Sequence, residues 1–212
     1  MKVALINDNS QASKNEIIYN SLNKACEKYN HRLFNYGMKG NIDSELTYVQ
    51  AGLLAAILIN SKAADFIVTG CGTGQGAMLA TNSFPNMLCG HIVTPTDAYL
   101  FSQINAGNAI SIPFAQGFGW GSEITLDYIF DKLFSTPFGG GYPIERRESE
   151  QRNKKVLDSV KEITHNNMIT ILKNIDQEFL YNTVNREEFK KYFFENAKDE
   201  EIIECIKKII NK

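Results

Sequence analysis

The stretch Phe66-Ile67-Val68-Thr69-Gly70-Cys71-Gly72-Thr73-Gly74-Gln75-Gly76 constrains this chain more than any other. Residues 66–69 form a short apolar, β-branched run that reads as a buried strand. A lone cysteine and a glycine-rich turn follow, and a helix opens near residue 76. A strand that passes through glycines straight into a helix is half of a βαβ unit, which needs parallel neighbours and helical cover. Cys71 would then lie where backbone N–H groups converge at the positive end of a helix. That field favours a thiolate, able to act as base or nucleophile. The glycines let bare N–H groups approach a developing negative charge.

The first two-thirds of the chain repeats this alternation. Strands are expected over 2–7, 32–36, 66–69, 88–93 and 108–112. Between them, Ile17, Ile18, Leu22, Ala25 and Cys26 have helical spacing, 46–60 is a strongly apolar helix, and helices follow over 76–82, after Pro95 and over 122–133. The expected fold is α/β: a three-layer α/β/α sandwich around a five-stranded, mostly parallel, Rossmann-like sheet with right-handed crossovers. Ligands of such sheets bind at the carboxyl ends of the strands, where Asp8, Cys71, Thr94 and the region of Ile112 fall.

Composition changes at the Gly- and Pro-rich segment 136–143, and beyond it every segment looks helical. The domains expected are an α/β unit over 1–150 and a helical C-terminal extension over 151–212, packed on the core or on a neighbouring subunit. Three apolar stripes mark the extension: Val156, Val160 and Ile163; Met168, Ile171, Leu172, Ile175 and Phe179; and Ile202, Ile203, Ile206, Ile209 and Ile210. Stripes at this spacing are packing surfaces.

Several function classes are disfavoured. A net charge of -2 over 212 residues gives no electrostatic reason to expect nucleic acid. The longest apolar run, 52–59, is too short to cross a bilayer, so no membrane partner is expected. Cys26, Cys71, Cys89 and Cys205 are scattered without a Cys-x-x-Cys pair, and no signal-peptide pattern precedes them. Reduced thiols in the cytoplasm are expected. The three histidines lack metal-ligand spacing, and no metal is expected.

Other glycine-loop chemistries fit poorly. A P-loop needs Gly-Lys, but no lysine lies between Lys62 and Lys132. A cysteine phosphatase needs an arginine soon after its cysteine, and the next one is Arg146. Gly72-x-Gly74-x-x-Ala77 matches a permissive dinucleotide fingerprint, yet it follows the third strand. The next strand ends in Val93-Thr94-Pro95, with no acid to hold a ribose.

The strand-Cys71-Gly72-Thr73-Gly74-x-Gly76-helix pattern resembles the active-site loop of the ribose-5-phosphate isomerase B and galactose-6-phosphate isomerase family. The resemblance covers about residues 1–150: Asp8 after the opening strand, Tyr48, the loop, Pro95, Asn105-x-x-Asn108, and Gly139-Gly140-Gly141-Tyr142-Pro143 leading to Arg146 and Arg147. It implies aldose–ketose isomerisation of a pentose or hexose phosphate through a cis-enediolate, without metal or cofactor. Cys71 would match the base. Gly72, Thr73, Gly74 and Gly76 would match the anion hole, and Asp8 the acid that handles sugar hydroxyls. Tyr48 and Asn105 would match substrate contacts, and Arg146 and Arg147 the phosphate grip. The family's sites lie between subunits, which implies a homodimer or homotetramer.

Two departures stand out. Asn9 replaces a histidine that meets the phosphate, and Ile104 replaces the ring-opening histidine before Asn105. His91, within an expected strand, reads as a core residue. The arginines are adjacent rather than a helical turn apart, and Arg152 is a candidate to complete the set. These losses point to a substrate other than ribose 5-phosphate, either taken already open or opened by solvent. The alternatives are a catalytically silent sugar-phosphate binder and a dinucleotide-dependent oxidoreductase.

Overall fold

A computed structural model describes residues 1–40 and 45–211. Five strands form one sheet: β1 (Lys2–Asn7), β2 (Arg32–Asn35), β3 (Phe66–Cys71), β4 (Cys89–His91) and β5 (Ala109–Pro113), in the order β2-β1-β3-β5-β4. Every neighbouring pair is parallel. Helices α1 (Asn15–Lys28), α2 (Tyr48–Asn60), α3 (Gln75–Asn82), α4 (Pro95–Leu100) and α5 (Ser122–Phe134) connect and cover the strands. The expected α/β/α sandwich is therefore present.

Boundaries moved where local chemistry competes with apolar pattern. The expected helix over 46–60 starts at Tyr48, because Thr47 accepts the Gln50 N–H while Gln50 accepts the Thr47 N–H. Strand β3 runs two residues past the expected end, so Cys71 closes the strand. The edge strand β4 is shorter than 88–93, because Thr94 caps α4 and Asp97 takes the N–H groups of Val93 and Thr94. After α4 a π-helical turn, Phe101–Asn105, carries the chain back to the amino end of β5.

The extension comprises α6 (Arg147–Thr164), α7 (Met168–Asn174), α8 (Gln177–Val184), α9 (Glu187–Asn196) and α10 (Glu200–Ile210). Leu172, Leu180, Phe193 and Ile206, all fully buried, join one apolar cluster with Ile6, Leu53 and Ile57 of the α/β layers. The extension thus shares a core with the sheet face covered by α2. The stripe from Met168 to Phe179 is split, because Asp176 caps a new helix by accepting the Phe179 N–H at 2.7 Å.

Candidate active site

The carboxyl ends of β1 and β3 lie side by side. Asn7 pairs with Gly70, so Asp8 and Cys71 are the next residues of adjacent strands, about 5 Å apart along the hydrogen-bonding direction. Beneath them, the buried amides of Asn7, Asn15 and Asn35 bond to one another and to Met38 O, which fixes the strand end.

Asp8 is buried and accepts a hydrogen bond from Ser10 Oγ at 2.7 Å. Burial pushes its carboxyl above the usual carboxylate range, and the Ser10 hydroxyl offsets part of that shift. Gln11 donates to Ser10 Oγ at 3.2 Å, and Lys14 Nζ donates to Gln11 Oε1 at 2.8 Å. A chain of side chains thus runs from a cation to Asp8. Asn9 donates to the Glu45 carboxylate at 2.6 Å, which leaves an anion beside the position expected to meet phosphate.

Cys71 is 8% exposed and belongs to neither apolar cluster of the molecule. Cys26 and Cys89 lie within those clusters, and burial pushes both thiols up to about 12. They are protonated and inert at neutral pH.

The loop after Cys71 has all its carbonyls on one side of the hydrogen-bonding account. Phe114 N donates to Cys71 O at 2.9 Å, and Ala115 N and Gln116 N donate to Gly72 O at 3.0 and 3.2 Å. His91 Nε2 lies 2.9 Å from Thr73 O, and Ser111 Oγ donates to Gly74 O at 2.6 Å. A carbonyl can only accept, so Nε2 of His91 carries the hydrogen. Each peptide plane places its N–H opposite its C=O. Tethering the carbonyls of residues 71, 72 and 73 therefore aims the N–H groups of Gly72, Thr73 and Gly74 the other way. Those groups and the Gly76 N–H have no acceptor among the described residues. Gly74 has φ +72°, and a Cβ there would lie 2.8 Å from His91 Nε2. The Tyr48 ring lies over the helix start, its Cδ2 3.3 Å from where a Cβ on Gly76 would be. Such a cradle of unpaired donors can stabilise an oxyanion beside a sulfur.

Asn105, Arg146 and Arg147 are elsewhere in the same chain. Asn105 ends the π-helical turn just before β5, at the amino ends of the strands. One five-residue strand, about 15 Å, separates that edge from Cys71. The loop 139–147 docks on the same turn: Gly139 N donates to Ser102 O, and Gly141 N to Gln103 O. Arg147 Nε donates to Gly140 O at 2.8 Å, and both arginines are exposed. Tyr99, Gln103, Gly140, Tyr142 and Arg147 line a cleft of about 600 Å³ there, which shares no residue with the Cys71 loop. The expected site is thus drawn in two halves.

Sequence reasoning did not find Ser10, Gln11, Lys14 or Ser111, and it assigned His91 to packing. Ser10, Gln11 and Lys14 lie in the turn that follows β1, His91 closes β4, and Ser111 sits in the middle of β5, so local sequence does not single them out. Among the described residues, no cluster of His, Cys, Asp or Glu converges as a metal site. Nor is any described helix long and apolar enough to cross a membrane.

Residues 3–154 match the family model described as Ribose/Galactose Isomerase, and 163–209 match one described as Ribose-5-phosphate isomerase. A solved 4-deoxy-L-threo-5-hexosulose-uronate ketol-isomerase, complexed with a tartrate, is 54% identical over 100% of both chains, with a TM-score of 0.98. A ribose-5-phosphate isomerase from Vibrio parahaemolyticus is 45% identical over 99% of both chains, with a TM-score of 0.97. The type B ribose 5-phosphate isomerase of Trypanosoma cruzi is 18% identical, covers 76% of this chain and 96% of its own, and shares the fold at a TM-score of 0.64. A comparison with curated proteins finds no match.

Proposed function

The chain belongs to the ribose/galactose isomerase family, and from that premise we propose that it is a ketol-isomerase of an open-chain sugar acid, with Cys71 as the base. Cys71 Sγ takes the proton from C2 of the aldose, and the electron pair moves onto the C1 carbonyl oxygen. The resulting cis-enediolate is negative at the oxygen facing the loop. Asp8, kept neutral to a higher pH than an ordinary carboxyl, serves the transfer of the hydroxyl proton from O2 to O1. The thiol then returns its proton to C1, which leaves the ketone at C2. The observation that carries this reading is the row of unpaired N–H groups on Gly72, Thr73, Gly74 and Gly76 beside that sulfur. Each well-aimed donor of this kind is worth on the order of 10²–10³ in rate.

The substrate class is supported by two features. Ile104 cannot donate a proton, so a sugar that needs no ring opening suits the site. Glu45 beside Asn9 disfavours a phosphate dianion at that end, whereas a uronate carries a single negative charge. Of two relatives matched over essentially their whole length, the one at 54% identity is described as an isomerase of such a uronate, and the one at 45% as a ribose-5-phosphate isomerase. A second reading, a pentose or hexose phosphate, is favoured by the exposed Arg146 and Arg147. On either reading the separation of those arginines and Asn105 from Cys71 supports a homodimer or homotetramer, in which a second copy brings its amino-edge half to this carboxyl-edge half.

Incubation in deuterated water with the hexosulose uronate, ribose 5-phosphate and a hexose 6-phosphate tests the proposal. The uronate acquires carbon-bound deuterium and is converted to a ketose. Exchange confined to a phosphate establishes the second reading. Binding without exchange into any of the three overturns the enzyme and leaves a silent binder.

A further inference from the structure

We propose that His91 is a positioning residue of the enediolate cradle: by donating from Nε2 to the Thr73 carbonyl it aims the Gly74 N–H at the substrate oxyanion. The inference rests on the reading of the loop as the enediolate site. The other peptides of the cradle are held by main-chain donors: Phe114 N on Cys71 O, and Ala115 N and Gln116 N on Gly72 O. Those bonds follow from β5 running alongside β3, whatever the side chains. The Thr73–Gly74 peptide has no main-chain donor among the described residues, and its tether is the imidazole alone. Backbone geometry is fitted to that ring. Gly74 has φ +72°, and a Cβ at this position would lie 2.8 Å from Nε2 and 2.9 Å from Cδ2 of His91. The glycine thus lets the ring pass directly over the peptide it holds. His91 closes the edge strand β4 and is partly exposed, so the side chain is not needed to fill the core. Ser111 on β5 anchors the next carbonyl, Gly74 O, which leaves the peptide between Thr73 and Gly74 as the one whose orientation depends on His91.

His91→Leu and His91→Gln separate positioning from packing, because the glutamine amide reaches as far as Nε2 and leucine cannot donate. In turnover of the uronate, His91→Leu lowers kcat about 10²-fold, the cost of a misplacement near 1 Å, while KM stays within about threefold. His91→Gln recovers kcat to within about tenfold of the parent chain. An unchanged kcat in His91→Leu, or equal losses in both variants, overturns the proposal. Amide NMR of the full chain without substrate gives a readout independent of turnover. The Gly74 N–H resonance moves in His91→Leu and returns in His91→Gln. If the parent chain isomerises none of the sugars, the functional reading fails by itself, and this resonance still decides the tether: one unmoved in His91→Leu overturns it.

Discussion

The loop 71–76 and the helices after residue 167 hold their shapes in different ways. In the loop, hydrogen bonds tie down the carbonyls and leave a run of N–H groups unmatched. In the extension, Asn167, Asp176 and Asp199 cap α7, α8 and α10, and the binding force is apolar burial around Phe193 and Ile206, both fully buried. Unmatched donors cost stability and serve a ligand, whereas buried rings add stability and serve no ligand. Substitutions in the two regions should therefore separate into rate effects and stability effects.

The largest effect belongs to Cys71→Ala. It should lower isomerisation by about 10³-fold or more, with unfolding free energy within about 1 kcal/mol of the parent, read by steady-state kinetics and urea melts. Comparable size but opposite kind is expected of Phe193→Ala, where a fully buried ring stacks on Phe189 at 4.6 Å. Urea unfolding should show a loss of about 3–5 kcal/mol, with kcat per folded molecule unchanged. A fall in that kcat would mean that the extension shapes the site. Gly74→Ala crosses the divide: left-handed strain of roughly 1–2 kcal/mol and displacement of His91 should lower both stability and kcat.

Asp8→Asn should stabilise. The folded-state carboxyl is raised, so its stabilising contribution is complete below the unfolded carboxylate range and is lost as pH rises through the folded value. Near pH 7 the variant should gain up to about 1 kcal/mol in urea melts, and the two proteins should converge in acid, while turnover falls. Smallest of all is Val160→Ser on α6, where Val160 is 46% exposed. A shift within about 0.5 kcal/mol is expected of the isolated chain. A larger loss, with a change of oligomeric size in sedimentation, would show that a second copy covers this face.

Helices α6 and α10 show what the sequence could and could not reveal. Val156, Val160 and Ile163 have the same spacing as Ile202, Ile206 and Ile209, and both sets are helical. The first set is exposed at 58%, 46% and 84%, and the second is buried at 3%, 0% and 6%. Periodicity fixes the helix and its face but not its partner. Strands were legible because parallel, doubly covered strands are continuous apolar runs. Cys71, its glycines and Asp8 were legible because local spacing places them at strand ends, whereas Tyr48 was legible only through the family resemblance. Asn105 and the arginines were legible as residues but not as neighbours, since their distance from Cys71 depends on which end of the sheet the π-helical turn reaches. The bond of His91 to Thr73 was not legible for a similar reason: it joins β4 to the loop after β3, two strands away in sheet order.

Proton exchange at carbon tests the central claim most directly. In deuterated water, the parent chain should place solvent deuterium on the carbons flanking the moving carbonyl of the uronate, and Cys71→Ala should bind the same sugar without exchanging it. Deuterium incorporation by Cys71→Ala at the parent rate would contradict the assignment of the sulfur as the base.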